Sequence, residues 1–327
     1  MQRYIIFSNY AKYFAKLFFV CCFFPTFAAD NVTCTDMKLI ADSGSTKTDW
    51  SVLSTSGSVL STFTTQGLNP YHQSPDLILA TLGEVSARVE ACRPYDSADL
   101  SVFFYGSGVR PEQEAPMIAL ITKALPEAVS VEAHSDMLGA ARALCGRKKG
   151  IASILGTGAN SCLYDGEQII QNTPALGYIL GDEGSGAVLG KHFLHDLYVG
   201  RLPDELKADF ETETGLSLPV IIDRVYRQPL ANRFLGSQVD FIHSQVHIPA
   251  VRSLVVDNFR AFFSCHVAPY KSAHLPVSCV GSIAWYFKEE LQEAARLEGF
   301  KLGTILQSPM QGLVKYHTKQ GLFSKLI

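Results

Sequence analysis

From Met37 onward the chain alternates short, β-branched apolar runs with glycine turns, then switches to a helical period. "KLIADSG", "TDWSVLST" and "SVLSTFTTQGLNP" read as three strands, with Gly44, Gly57 and Gly67 at the turns. "DLILATLGEVSARVEAC", Asp76 to Cys92, repeats its apolar residues at helical spacing. "LSVFFYGSG", Leu100 to Gly108, reads as a buried strand ending in a glycine turn. "APMIALITKAL" predicts a helix, "AVSVEAH" a strand, and "SDMLGAARALCG" a helix stopped by Gly146.

The pattern then restarts. "GIASILGTGANSCLYDG" is again strand, glycine turn, strand, and a glycine-rich loop leads from it into a helix. Mostly helical sequence continues to about Pro269, and "LPVSCVGSIAWYFKEELQEAARLEGF" predicts a strand, a turn at Gly281 and one long helix. One strand–turn–strand unit near the start of each half predicts two related α/β domains around a cleft, residues 37–146 and 147–327, parted at "GRKKG". The last helix is expected to pack back on the first domain.

Residues 1–36 obey a different rule. Arg3, Lys12 and Lys16 precede the apolar run Leu17 to Phe27, and "TFAAD" offers small residues for cleavage after Ala28. That is the order of parts in a secretory leader, with a run too short to span a bilayer comfortably. The competing expectation is that translation starts at Met37, immediately before a strand that needs nothing ahead of it.

Composition narrows the class. A hydrophobic fraction of 47% with 18% charged residues suits a packed globular protein. A net charge of −3 without a long run of one sign argues against a phosphate-backbone reader, so no nucleic-acid partner is expected. The eight cysteines include no CxxC pair, and the five after Met37 stand singly among apolar residues, as buried reduced thiols do. His192 and His195 form HxxH on one predicted helix, without the further ligands that a metal site needs nearby in sequence.

The glycine turns carry the chemistry. A triphosphate needs many short donors close together, and backbone N–H groups supply them where side chains do not obstruct. "DSGSTKT" offers Gly44, Ser45, Thr46, Lys47 and Thr48; "GTGAN" offers Gly156, Thr157 and Gly158; "VSCVGSIA" adds Gly281 and Ser282 at a strand end that opens a helix. Asp42, at the end of its strand, suits Mg²⁺, held directly or through water. Each turn alone is equally an ordinary hairpin or a close packing point. No GxxxxGK[ST] loop occurs, and no GxGxxG opens a helix after the first strand, which disfavours P-loop and dinucleotide folds.

The order DSGSTKTDW, GTGANS, LGYILGDEGSG and VGSIA resembles the BadF/BadG/BcrA/BcrD-type ATPases, and among them the N-acetylglucosamine kinases of the sugar kinase, Hsp70 and actin superfamily. The resemblance runs from Met37 to about the C-terminus. It implies two ribonuclease-H-like (actin-like ATPase) domains, ATP with Mg²⁺ in the cleft, and closure on an amino sugar. It also implies that Asp136, which opens a helix after a strand, is the catalytic base, and that Asn69, Ser107, Gly108, Asn160 and Asp182 line the sugar pocket. Asp136 is otherwise a plain first-turn residue and Asp182 a helix cap. A second copy of the chain is a candidate partner.

The first expectation is therefore phosphorylation of N-acetylglucosamine at its 6-hydroxyl, with N-acetylmuramic acid as a close variant. An ATPase that activates a 2-hydroxyacyl-CoA dehydratase through an iron–sulfur cluster would need thiolates beside the glycine turn, where Cys162 stands alone. A nucleotide-binding module without phosphotransfer has no use for acceptor-side carboxylates. ATP use implies the cytoplasm, which favours the start at Met37 over an exported protein.

Overall fold

A computed structural model describes residues 37–44, 46–54, 56–93 and 99–323; the leader and Ser45 lie outside the described residues. β1 (Met37–Ser43), β2 (Lys47–Leu53) and β3 (Val59–Gln66) form an antiparallel meander, and β4 (Leu100–Gly106) and β5 (Ala128–Ser135) extend it in parallel from β1. β6 (Gly150–Leu155), β7 (Ala159–Tyr164) and β8 (Ile169–Asn172) form a second meander, extended in parallel by β9 (Val277–Val280) and β10 (Leu302–Leu306). The orders β3-β2-β1-β4-β5 and β8-β7-β6-β9-β10 match strand for strand.

The helices are α1 (Pro75–Ala91), α2 (Pro111–Ala124), α3 (Asp136–Cys145), α4 (Gly177–Leu180), α5 (Gly186–Tyr198), α6 (Asp204–Thr214), α7 (Leu218–Tyr226), α8 (Ala231–Gly236), α9 (Val239–Ser244) and α10 (Pro249–Phe262). A π turn (Phe263–Val267) and a 3₁₀ turn (Ala268–Tyr270) continue α10, and α11 (Ser282–Tyr286), α12 (Lys288–Leu297) and α13 (Met310–Phe323) complete the chain. Among the described residues no helix is long and apolar enough to cross a membrane.

β1 explains the layering. Leu39 and Ala41 join Ile78, Leu82, Val85, Met117 and Ile121 of α1 and α2 on one face, while Ile40 meets Phe103, Tyr105 and Leu313 on the other. A strand covered on both faces reads as a near-continuous apolar run, and each fully buried Leu or Ile contributes about 1.5–3 kcal/mol. α3 lies between the sheets: Met137, Ala140, Ala141 and Leu144 pack on Ala152, Cys162, Tyr164 and Val280 of the second sheet. Its other side touches the first sheet, where a side chain at Gly139 would strike the Tyr105 ring at 2.8 Å. α13 runs along the same seam. A side chain at Gly312 would lie 2.4 Å from the Ala143 carbonyl oxygen, so only glycine allows α13 this close to α3.

The structure differs from the sequence pattern in three places. β8 and β10 complete the sheets although "IIQN" and "LGTIL" show no clear alternation. The long helix after Gly281 is two helices, because Phe287 leaves helical geometry (φ −106, ψ 38) and its side chain is fully buried. α2 begins earlier than its apolar period, with Pro111 in its first turn.

Candidate active site

The β1–β2 hairpin places Asp42 opposite Asp49 and Ser43 opposite Thr48. The Gly44 N–H donates to the Lys47 carbonyl at 2.9 Å and closes the turn. Lys47 Nζ donates to Asp49 Oδ2 at 2.7 Å, and Thr64 Oγ1 donates to Asp49 Oδ1 at 2.9 Å. In the matching β6–β7 hairpin the Gly156 N–H donates to the Gly158 carbonyl at 3.0 Å. The Gly156 and Thr157 carbonyls accept from the Gly186 and Ala187 N–H groups at 2.8 and 3.1 Å, which ties this hairpin to the start of α5. The third turn depends on Gly281. Its φ is +125, and a side chain there would lie 2.3 Å from the Leu155 carbonyl oxygen.

These three turns face α3 across a cavity of about 330 Å³, lined by Asp42, Gly44, Lys47, Asp136, Gly156 and Gly281. Asp136 is the first residue of α3. Ser135 caps the helix by accepting from the Leu138 N–H at 3.3 Å, and Asp136 Oδ1 accepts from the Met137 N–H at 2.8 Å. Burial raises its carboxyl above the usual range, against those backbone hydrogen bonds. Asp42 is pushed up to about 7, first by burial and then by the carboxylates of Asp136 and Asp49, with Lys47 pulling it down.

This crowding is the test of fit for a divalent cation. Asp42 and Asp49 are cross-strand partners and Asp136 adds charge, so positive charge beside Asp42 relieves a real repulsion. Among the described residues no group of three or more His, Cys, Asp or Glu side chains is arranged to hold a metal unaided. An ion arriving with phosphate oxygens and water fits such a partial donor set.

The remaining predicted residues divide. Thr46, Thr157 and Ser282 are exposed in the turns beside the cavity. Thr48 is turned elsewhere: its buried hydroxyl shares a 2.7 Å hydrogen bond with Ser43 and donates to the Gln66 carbonyl at 3.1 Å, bracing the hairpin. The acceptor-side residues form two groups, neither of which lines this cavity. In the first, a side chain at Gly108 would meet Asn69 Oδ1 at 2.5 Å, and the Ser107 N–H donates to the Ser43 carbonyl at 2.8 Å. Ser107 Oγ is buried without a partner among the described residues. In the second, Asn160 Oδ1 accepts from the Ser161 N–H and Asn172 Nδ2, each at 2.9 Å. A side chain at Gly158 would lie 3.0 Å from Asp182 Oδ2. Burial raises the Asp182 carboxyl, while backbone hydrogen bonds at Gly177 and Ala159 pull it down.

Asp49, Gln307 and Ser308 also line the cavity, and the sequence motifs do not single them out. Asp49 is detectable in principle, since any tight hairpin centred on residues 45 and 46 sets position 49 opposite 42. Gln307 and Ser308 come after β10, a strand the pattern does not reveal.

Two sheets of matching topology with a cleft of glycine turns define the actin-like ATPase fold of the sugar kinases. The structure is similar to a putative N-acetylglucosamine kinase from Porphyromonas gingivalis, with 44% identity over 86% of this chain and 99% of that one, and a TM-score of 0.81. The chain belongs to the family of that protein. A putative N-acetylglucosamine kinase from Chromobacterium violaceum (18% identity, 86% of this chain and 98% of that one, TM-score 0.60) shares the fold. So does the ROK hexokinase of Thermus thermophilus (15% identity, 89% and 99%, TM-score 0.53). No family model matches the chain, and no curated protein is similar to it.

Proposed function

We propose that the chain transfers the γ-phosphoryl group of ATP to an N-acetylated amino sugar, with N-acetylglucosamine, giving its 6-phosphate, as the first candidate. The observation that carries this reading is Asp136, set at the start of α3 in a cleft whose opposite walls are two matching glycine hairpins. Kinship with the Porphyromonas gingivalis protein supports the acceptor class. The motif order supports the finer placement among BadF/BadG/BcrA/BcrD-type ATPases, and ATP use supports a cytoplasmic setting.

The hairpin amides and Lys47 hold the phosphates. The sugar hydroxyl oxygen attacks the γ-phosphorus, the bond to the bridging oxygen breaks, ADP leaves, and Asp136 takes the hydroxyl proton. A loose transition state asks the base mainly to orient the nucleophile, and a carboxylate whose affinity for protons is raised by burial suits that role. Asp42 and Asp49 would hold Mg²⁺, which supplies charge neutralisation on the phosphate oxygens. Asn69, Ser107 and Gly108 on one side and Asn160 and Asp182 on the other are the acceptor contacts, brought to the sugar as the cleft closes.

Cys162 speaks against an iron–sulfur activator. It lies inside the core between α3 and the second sheet, and burial pushes its thiol up to about 12, which leaves it neutral. A coupled ADP-release assay with Mg²⁺-ATP tests the proposal, using N-acetylglucosamine, N-acetylmuramic acid, N-acetylmannosamine, glucose and no sugar. Turnover that depends on an N-acetylated sugar is expected. ADP release indifferent to sugar would overturn the proposal.

A further inference from the structure

The loop that carries Asp182 is held from a distance. Asp182 has φ +58, unusual for a residue other than glycine, and its carbonyl accepts from the Ser185 N–H at 3.0 Å. The Gly184 N–H donates to Asn258 Oδ1 at 3.2 Å, and Asn258 Nδ2 donates to the Ser185 carbonyl at 3.4 Å. Between these anchors stands Glu183, whose Oε2 lies 2.9 Å from His266 Nε2. Nothing in the proposed reaction has used either residue.

His266 reaches Glu183 because α10 ends in a π turn, Phe263–Val267. A π turn inserts a residue into the helical path and rotates the residues beyond it, and such turns gather at functional sites. His266 is 3% exposed, and its ring stacks on Phe262, with centroids 5.7 Å apart and planes at 21°. Its backbone carbonyl accepts from Ser161 Oγ at 3.1 Å and Thr173 Oγ1 at 2.9 Å. Ser161 is the neighbour of Asn160, so the same turn that grips Glu183 also braces the strand carrying Asn160.

We propose that His266 is a positioning residue of the acceptor site: through Glu183 it fixes the 181–185 loop so that Asp182 keeps its left-handed conformation and presents its carboxylate beside the Gly158 turn. This rests on the reading of Asp182 as an acceptor contact. With Glu183 as acceptor, His266 Nε2 carries the proton and donates. A glutamine at 266 can also donate, whereas alanine cannot.

The experiment compares full-length His266→Ala, His266→Gln, Glu183→Ala, Asp182→Ala and the double variant His266→Ala/Asp182→Ala. Kinetics are read for both substrates, and N-acetylglucosamine binding is read by calorimetry. His266→Ala and Glu183→Ala are expected to raise the acceptor KM and Kd at least tenfold (about 1.4 kcal/mol) while the ATP KM stays within about twofold. His266→Gln is expected to recover most of the loss, and the double variant to match Asp182→Ala alone. Equal rises in both KM values, or losses that multiply in the double variant, would overturn the proposal. Glu183 is 31% exposed at its side chain, so Glu183→Ala decides the matter if His266→Ala does not fold. If Asp182→Ala leaves acceptor KM unchanged, the acceptor reading of Asp182 fails. If it raises KM while Glu183→Ala does not, only the role of His266 fails.

Discussion

Asp42 and Asp136 line one cavity, and the proposed reaction gives them different tasks that their surroundings suit. Asp42 has Asp49 across the hairpin and Lys47 near it, which suits a group that meets a cation. Asp136 has helix amides at its back, which favour its ionised form, and enough burial to keep it a competent proton acceptor. Asp136→Asn is therefore expected to lower kcat by about 10²–10⁴-fold with an ATP KM within about twofold, as steady-state kinetics would show. Unchanged kcat would remove Asp136 as the base. Asp42→Ala is expected to raise the Mg²⁺ concentration needed for half-maximal rate while leaving sugar binding, read by calorimetry, unchanged. Asp42 stands out in sequence as a strand-end carboxylate between glycine-turn residues, whereas Asp136 is singled out by the family resemblance, since an acidic residue at a helix start is ordinary by itself. The Thr48 hydroxyl faces away from the cavity, because strand alternation turns its side chain inward to Ser43. The Glu183–His266 contact joins positions 83 apart through a π turn that no periodicity announces.

At the level of elements, the hairpins β1–β2 and β6–β7 are readable from glycine between β-branched runs. The flanking strands β8 and β10 are not. "IIQN" is short, and β10 leaves most of "LGTIL" half-exposed, so neither carries a strong pattern. The turn after β9 gives a direct test of the cleft's construction. Gly281→Ala forces a side chain against the Leu155 carbonyl at a positive φ. Urea unfolding is expected to show a loss of about 2 kcal/mol or more. A loss below about 0.5 kcal/mol would mean that β9 and β6 need not approach this closely.

Across the whole molecule, α3 and α13 form the seam between two sheets of equal topology. The seam includes a buried polar cluster. His317 of α13 shares a 2.9 Å hydrogen bond with the Tyr105 hydroxyl, and Lys38 Nζ donates to its carbonyl at 2.7 Å. Burial, then the charges of Arg142 and Lys38, push its imidazole down to about 3. Between about pH 6.5 and 3 the unfolded chain binds a proton that the folded one refuses, so stability falls as pH falls through that window. The contribution is up to about 1.4 kcal/mol per pH unit. Melting temperatures of the parent chain and His317→Gln, measured from about pH 7 to about pH 4, are expected to differ in slope, with the variant less acid-sensitive. Parallel slopes would show that His317 is not kept neutral by the fold. Gly312→Val should push α13 off α3 and lower stability by several kcal/mol in urea unfolding. The duplicated plan is legible from the repeated strand–turn–strand unit. The helical character of the stretch between β8 and β9 is legible too, but its packing is not, because its many short helices meet through contacts distant in sequence.

The most direct measurement is label transfer from γ-³²P-ATP to N-acetylglucosamine by the full chain, with Asp136→Asn in parallel. Labelled sugar 6-phosphate from the parent chain, reduced at least about a hundredfold in the variant, is the predicted result. Label released only as inorganic phosphate, or equal transfer by both proteins, would contradict it.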